Sequence, residues 1–143
     1  MVHLASAPSL LGRLQAFISP QADPATEAAQ GTVAAVYADL PEAFAVALIE
    51  LPSGRPLAWR SRLPGLRPER AAAYNAEVVR QKHAALLALG LGHERIEDIL
   101  ISLREQLHLL RVSRDGSRLL YVAVDSDDSN LALTRHVLRQ HIS

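Results

Sequence analysis

The chain has 143 residues, 49% of them hydrophobic, with 15 basic and 15 acidic side chains and no net formal charge. That is room for one domain with a real core, and the absence of a basic stripe with interleaved aromatics argues against nucleic acid or an anionic membrane as partner. Without cysteine there is no disulfide, no thiolate zinc site and no cysteine nucleophile, and a reducing, cytoplasmic setting is expected.

Taken in chain order, the first 20 residues carry an apolar patch that Arg13 interrupts. It falls well short of the roughly 20 apolar residues that a membrane span requires, and a short helix is expected there. A prolyl and alanyl bridge over 20–30 leads to a second helix at about 25–40, with weak caps and Gly31 in its middle.

The run AFAVALIEL at 43–51, bounded by Pro41 and by Pro52-Ser53-Gly54, predicts a buried strand ending in a turn. Residues 56–60 follow so closely that the second strand must run antiparallel, and Pro56, which has no N–H to donate, places it at a sheet edge. Residues 68–89, rich in Ala and Leu, with Pro68 at the start and Gly90 at the stop, predict the longest helix. At about 100° per residue, Tyr74, Val78, Val79, Leu86 and Leu89 gather on a face expected to cover the sheet. Opposite lie Arg70, Glu77, Arg80 and Gln81, with the small residues Ala73, Ala84 and Ala88 among them, a surface that either meets water or admits a second helix. Asn75 and Lys82 do not fit this phase, because they project toward the apolar side.

Strands are expected at 96–103, 106–114 and 117–125, joined by tight turns at Arg104-Glu105 and Asp115-Gly116, the latter a favoured two-residue hairpin turn. Apolar residues occupy both alternation sets of the last two strands, Leu119 and Tyr121 against Leu120, Val122 and Val124, so helices should cover both faces of the sheet. A closing helix from near Ser129 to about Ile142 presents Leu131, Thr134, Leu138 and Ile142 inward and leaves Arg135, His136 and Arg139 to water.

No catalytic constellation emerges. The six histidines are scattered, and His136 and His141, five apart, point to different sides of a helix. Gly90-Leu91-Gly92 follows a helix rather than a strand and reads as a C-cap, not a phosphate loop. The trio Asp125, Asp127 and Asp128 lacks the glycine and glutamate of a calcium loop and reads as helix capping. No catalytic residue, cofactor or metal is expected.

The strand-turn-strand AVALIELPSGRPLAWRS, the strand IEDILISL, the hairpin QLHLLRVSRDGSRLLYVAVD and the ending DSNLALTRHVLRQ together resemble the roadblock domain, the dynein light-chain type also widespread in bacteria. The resemblance covers about 30–142, with Asn130-Leu131-Ala132 its most distinctive part. It implies an α+β fold related to profilin-like domains, in which a five-stranded antiparallel sheet has one long helix on one face and two on the other. Residues 1–24 would be an extension with its own short helix, and 25–143 the domain.

The resemblance further implies a dimer in which two sheets join edge to edge through the strand after the long helix, with the long helices paired beside it. On this chain the joint falls on Ile96, Asp98, Ile99, Leu100, Ile101 and Leu103, and the helix contact on Ala73, Glu77, Arg80, Ala84 and Ala88. The residues independently support a joint there, since an apolar strand at an open edge invites a partner strand and a two-fold axis satisfies both copies. Bacterial members resemble one another in acting on Ras-like small GTPases, as activators or adaptors; Arg67, Arg70, Arg80 and Lys82 are the candidate partner contacts. A dimeric scaffold without effect on nucleotide turnover is the alternative, and a small-molecule sensor a third reading that would need an internal cavity.

Overall fold

The computed structural model describes residues 23–143; the short N-terminal helix expected before Pro20 lies outside the described residues. Helix α1 spans Pro24–Asp39, where the Asp23 side chain accepts a hydrogen bond from the Ala25 N–H and supplies the cap that the sequence reading missed. Strand β1 spans Ala45–Glu50 and β2 spans Arg55–Ser61. Helix α2 runs Pro68–Ala88, followed by β3 at Asp98–Ser102, β4 at Gln106–Val112, β5 at Arg118–Asp125 and helix α3 at Leu131–His141.

The five strands form one sheet in the order β2-β1-β5-β4-β3, each neighbour antiparallel to the next. Pro56 sits on the edge strand as expected, opposite Ile49 where the β1–β2 register shifts, so its missing N–H falls at a break in the ladder. β1 and β5, the central strands, are buried along nearly their whole length.

Alternation along the central strands divides the core in two. Val46, Leu48, Leu120 and Val122 face α1 and α3, meeting Val33, Val36, Val137 and Leu138. Ala45, Ala47, Ile49, Leu119 and Tyr121 face α2, meeting Ala72, Ala76 and Val79. The sheet is thus covered on both faces, by one helix on one side and two on the other. Each fully buried Leu or Ile in these layers contributes about 1.5–3 kcal/mol relative to exposure.

Helix α2 departs from the expected phase. Its buried line is Pro68, Ala72, Ala76 and Val79, whereas Tyr74 is 76% exposed and Leu89 67% exposed. Small side chains let the helix backbone approach the sheet closely, and the larger apolar groups are turned outward. Asn75 flanks the buried line and Lys82 is exposed, which removes the conflict that the sequence phase created. The second half of the helix, from Gln81 onward, is exposed apart from the half-buried Leu86 and so overhangs the sheet.

The helix ends as Gly90 predicts. Gly90 has φ +73°, its N–H bonds to the Leu87 carbonyl, and the Leu91 N–H reaches back to Leu86 at 2.8 Å, the paired bonds of a Schellman cap. The β4–β5 connection differs from the two-residue turn expected. Ser113 N–H bonds to the Arg118 carbonyl across a four-residue loop in which only Gly116 has positive φ, and the Asp115 carboxylate accepts from Ser113, Ser117 and the Ser117 N–H. Those bonds hold the Asp115 carboxyl down at about 2. Helix α3 begins at Leu131 rather than Ser129, with Asn130 as cap accepting from the Leu133 N–H.

Candidate interaction surface

β3 pairs with β4 along one side and has no strand on the other. Ile99 and Ile101 pack on the α2 side and Leu100 on the α1–α3 side, yet all three are only half-buried, and Leu103 just beyond the strand is 48% exposed. The main-chain donors and acceptors of that side therefore face outward between apolar side chains, the arrangement that accepts a further strand. Ile96, ahead of β3, packs partly into the α2-side core.

Asp98, at the start of β3, is tied into the chain. Its Oδ1 accepts from Arg135 Nη2 at 3.2 Å, and its Oδ2 lies 3.7 Å from Arg111 Nη1. Arg135 was expected to face water; instead it reaches from α3 to the sheet edge and fixes the first residue of β3. Neither this network nor the outward apolar residues of α2 were found from sequence. The i, i+4 alanines Ala72 and Ala76 were the available signal for the true helix phase.

The candidate helix residues fall on several environments. Ala73 lies against the β1–β2 turn, where a Cβ on Gly54 would come within 3.0 Å of its Cα. Arg80 Nη1 donates to the Leu51 carbonyl at 2.9 Å and its Nη2 pairs with Glu77 at 2.9 Å. Hydrogen bonds from Gln81 and Arg80 hold the Glu77 carboxyl below the usual carboxylate range. Arg80 and Ala84 line a cleft of about 590 Å³ between α2 and the β4–β5 loop, and Ala88 is exposed. The exposed large apolar residues of this helix are Tyr74, Val78 and Leu87, with Leu89 at its C-cap.

Among the proposed partner-contact residues, Arg67 pairs with Glu69 at 2.8 Å and Arg80 is engaged as above. Arg70 and Lys82 are exposed. From Arg67 to Lys82 is roughly 22 Å along a helix at about 1.5 Å per residue, so the four cations do not converge on one point.

The other polar candidates have structural uses. Asp125 Oδ1 accepts from the N–H groups of Asp127 and Asp128, closing the turn before α3. His141 Nε2 lies 2.6 Å from Asp39 Oδ2 and joins the ends of α3 and α1, while His136 is exposed. His108 Nε2 lies 2.8 Å from Gln106 Oε1, and the ring stands edge-on to Tyr121 at 5.3 Å. Among the described residues no group of three or more His, Asp or Glu is placed to hold a metal ion, and no helix is long and apolar enough to cross a membrane.

No family model and no curated protein matches the sequence. Solved structures do match it. MglB of Myxococcus xanthus superposes with a TM-score of 0.72 at 12% identity, over 86% of this chain and 88% of that one. A Roadblock/LC7 domain from Streptomyces avermitilis gives 0.67 at 13% identity, over 78% and 89%. The gliding protein MglB of Thermus thermophilus gives 0.66 at 17% identity, over 87% and 92%. What these likenesses show is the fold: this chain has the roadblock-domain architecture.

Proposed function

We propose that this protein is a non-enzymatic regulator or adaptor that dimerises through β3 and binds a Ras-like small GTPase. The observation that carries the reading is the unpaired apolar edge Asp98–Ser102, whose Ile99 and Ile101 lie on the sheet face that the long helix covers, together with Tyr74, Val78, Leu87 and Leu89, which this helix turns to solvent. An exposed apolar strand edge together with exposed large apolar side chains is a liability for a lone chain and a resource for a dimer. In the dimer, Ile96, Asp98, Ile99, Leu100, Ile101 and Leu103 form the strand joint. On α2, Glu77, Ala84 and Ala88 remain contact residues, joined by the outward apolar groups, while Ala73 and Arg80 act from within the chain against the β1–β2 turn.

The small-GTPase partner rests on the sequence resemblance and on the fold shared with MglB structures, one of them described as a gliding protein. A regulator of this kind need supply no chemistry; ordering the switch segments of a GTPase is enough to change its rate. Arg70 and Lys82, exposed on α2, are the cations free to take part in that contact.

The test is GTP hydrolysis by the small GTPase encoded nearest to this gene, with and without the protein. A complex with a faster rate is expected. A complex with unchanged rate assigns the scaffold role, and the absence of any complex would overturn the GTPase reading.

A further inference from the structure

Beside the first residue of β3 a cleft of about 270 Å³ is lined by Arg95, Arg111, Arg114 and Arg139, together with Glu97, the terminal Ser143 and Ile96, the last shared with the proposed strand joint. Four guanidiniums thus meet the carboxylate of Glu97 and that of the terminal residue Ser143 in a chain whose formal charge is zero, an excess of two positive charges. They come from the loop before β3, from β4, from the β4–β5 loop and from α3, so the concentration is a product of the fold and not of a basic run in the sequence.

The local carboxylates neutralise it only in part: Glu97 and Asp98 both form ion pairs with Arg111, and neither pairs with Arg95, Arg114 or Arg139. Arg111 Nη1 is 3.8 Å from Glu97 and 3.7 Å from Asp98, both beyond hydrogen-bond distance, and Asp98 is already bonded to Arg135. The Arg111 side chain is only 14% exposed, and its Nε is buried with no hydrogen-bond partner. Asp115, next to Arg114, is committed to Ser113 and Ser117. Arg95, Arg114 and Arg139 form no ion pair among the described residues. A guanidinium cannot shed its proton at any pH at which the protein folds, so a bound anion would relieve the repulsion that remains and engage donors that otherwise face water.

We propose that this cleft binds a doubly charged oxyanion of the phosphate type. Guanidinium groups match its oxygens in pairs, and a site fed from four segments can surround it, which isolated surface cations cannot do. The ligand is either free phosphate or the phosphate of a small phosphomonoester. All four guanidiniums come from one chain, so phosphate binding is read apart from dimerisation and from any GTPase, and its failure and theirs are separable even though Ile96 of the proposed joint lines the cleft.

The experiment is calorimetric titration of the whole chain with inorganic phosphate, against sodium chloride at matched ionic strength. Saturable binding of one phosphate per chain is expected. Arg114→Gln and Arg139→Gln should each weaken it roughly tenfold or more, the scale of one charge-assisted hydrogen bond. Glu97→Gln should tighten it by removing the competing carboxylate, and Arg70→Gln, on the outer face of α2, should leave it unchanged. Both arginine variants alter surface side chains; circular dichroism checks their fold, and Arg95→Gln serves if either unfolds. Glycerol 3-phosphate in place of phosphate assigns the source, since tighter binding of the ester points to a phosphomonoester and weaker binding to the free ion. Absence of saturable phosphate binding, or binding indifferent to the arginine substitutions, would overturn the proposal.

Discussion

Gly54 and Gly31 show how differently one residue type is used. Gly54 has φ +72° and presses against Ala73, so Gly54→Ala meets both a left-handed backbone and a Cβ 3.0 Å from the helix; a loss of about 1–3 kcal/mol in urea unfolding is expected. Gly31 lies within α1 with nothing inside 4 Å of an added Cβ, and Gly31→Ala should stabilise by about 0.5–1 kcal/mol. His108 carries a pH dependence. Burial lowers its pKa from the ordinary 6.5, so below that value the unfolded chain holds the extra proton and the folded chain resists it. Its contribution is therefore complete above pH 6.5 and is lost as pH falls toward the lower folded value. Tyr121, raised by burial to about 12, keeps its O–H throughout and can donate to Nδ1 at 3.3 Å while Nε2–H serves Gln106. His108→Phe should flatten the fall of the urea midpoint between neutral and mildly acidic pH; an unchanged slope would assign the dependence to other groups.

Among the elements, α2 is the one whose role follows from its orientation. A helix seated on Ala72, Ala76 and Val79 leaves its bulkier apolar residues free for a second surface. Ala76→Leu should force the helix off the sheet and cost about 1–3 kcal/mol of stability. Val78→Ser, outside that seat, should stay within about 0.5 kcal/mol for the isolated chain. The opposite ranking in denaturant unfolding would mean that the helix sits in the phase the sequence suggested. That phase was misleading because periodicity ranks residues by hydrophobicity, whereas close helix–sheet packing selects for small size.

For the whole molecule, assembly is the decisive property. Ile101→Glu places a charge in the open edge of β3 without touching a fully buried position. Sedimentation of the unaltered chain is expected to show the proposed dimer and that of this variant monomer or aggregate; a dimer unaffected by the substitution would remove β3 from the joint. That β3 lies at a sheet edge is seen in the fold; the sequence reading placed the proposed joint there from the family resemblance, supported by the apolar run Asp98-Ile99-Leu100-Ile101. The cluster of Arg95, Arg111, Arg114 and Arg139 was not legible, since its members are spread from the loop before β3 to the last helix and only the packing of four segments gathers them.

The order of strands and helices, the coverage of both sheet faces, the edge position of Pro56 and the Gly90 helix stop were all determined by the sequence. Each rests on short-range causes: side-chain alternation, the missing proline N–H and the freedom of glycine at positive φ. The seat of α2, the reach of Arg135 to Asp98 and the arginine-lined cleft were decided only by tertiary structure. They depend on distances between segments remote in the chain, which packing fixes and local pattern does not encode.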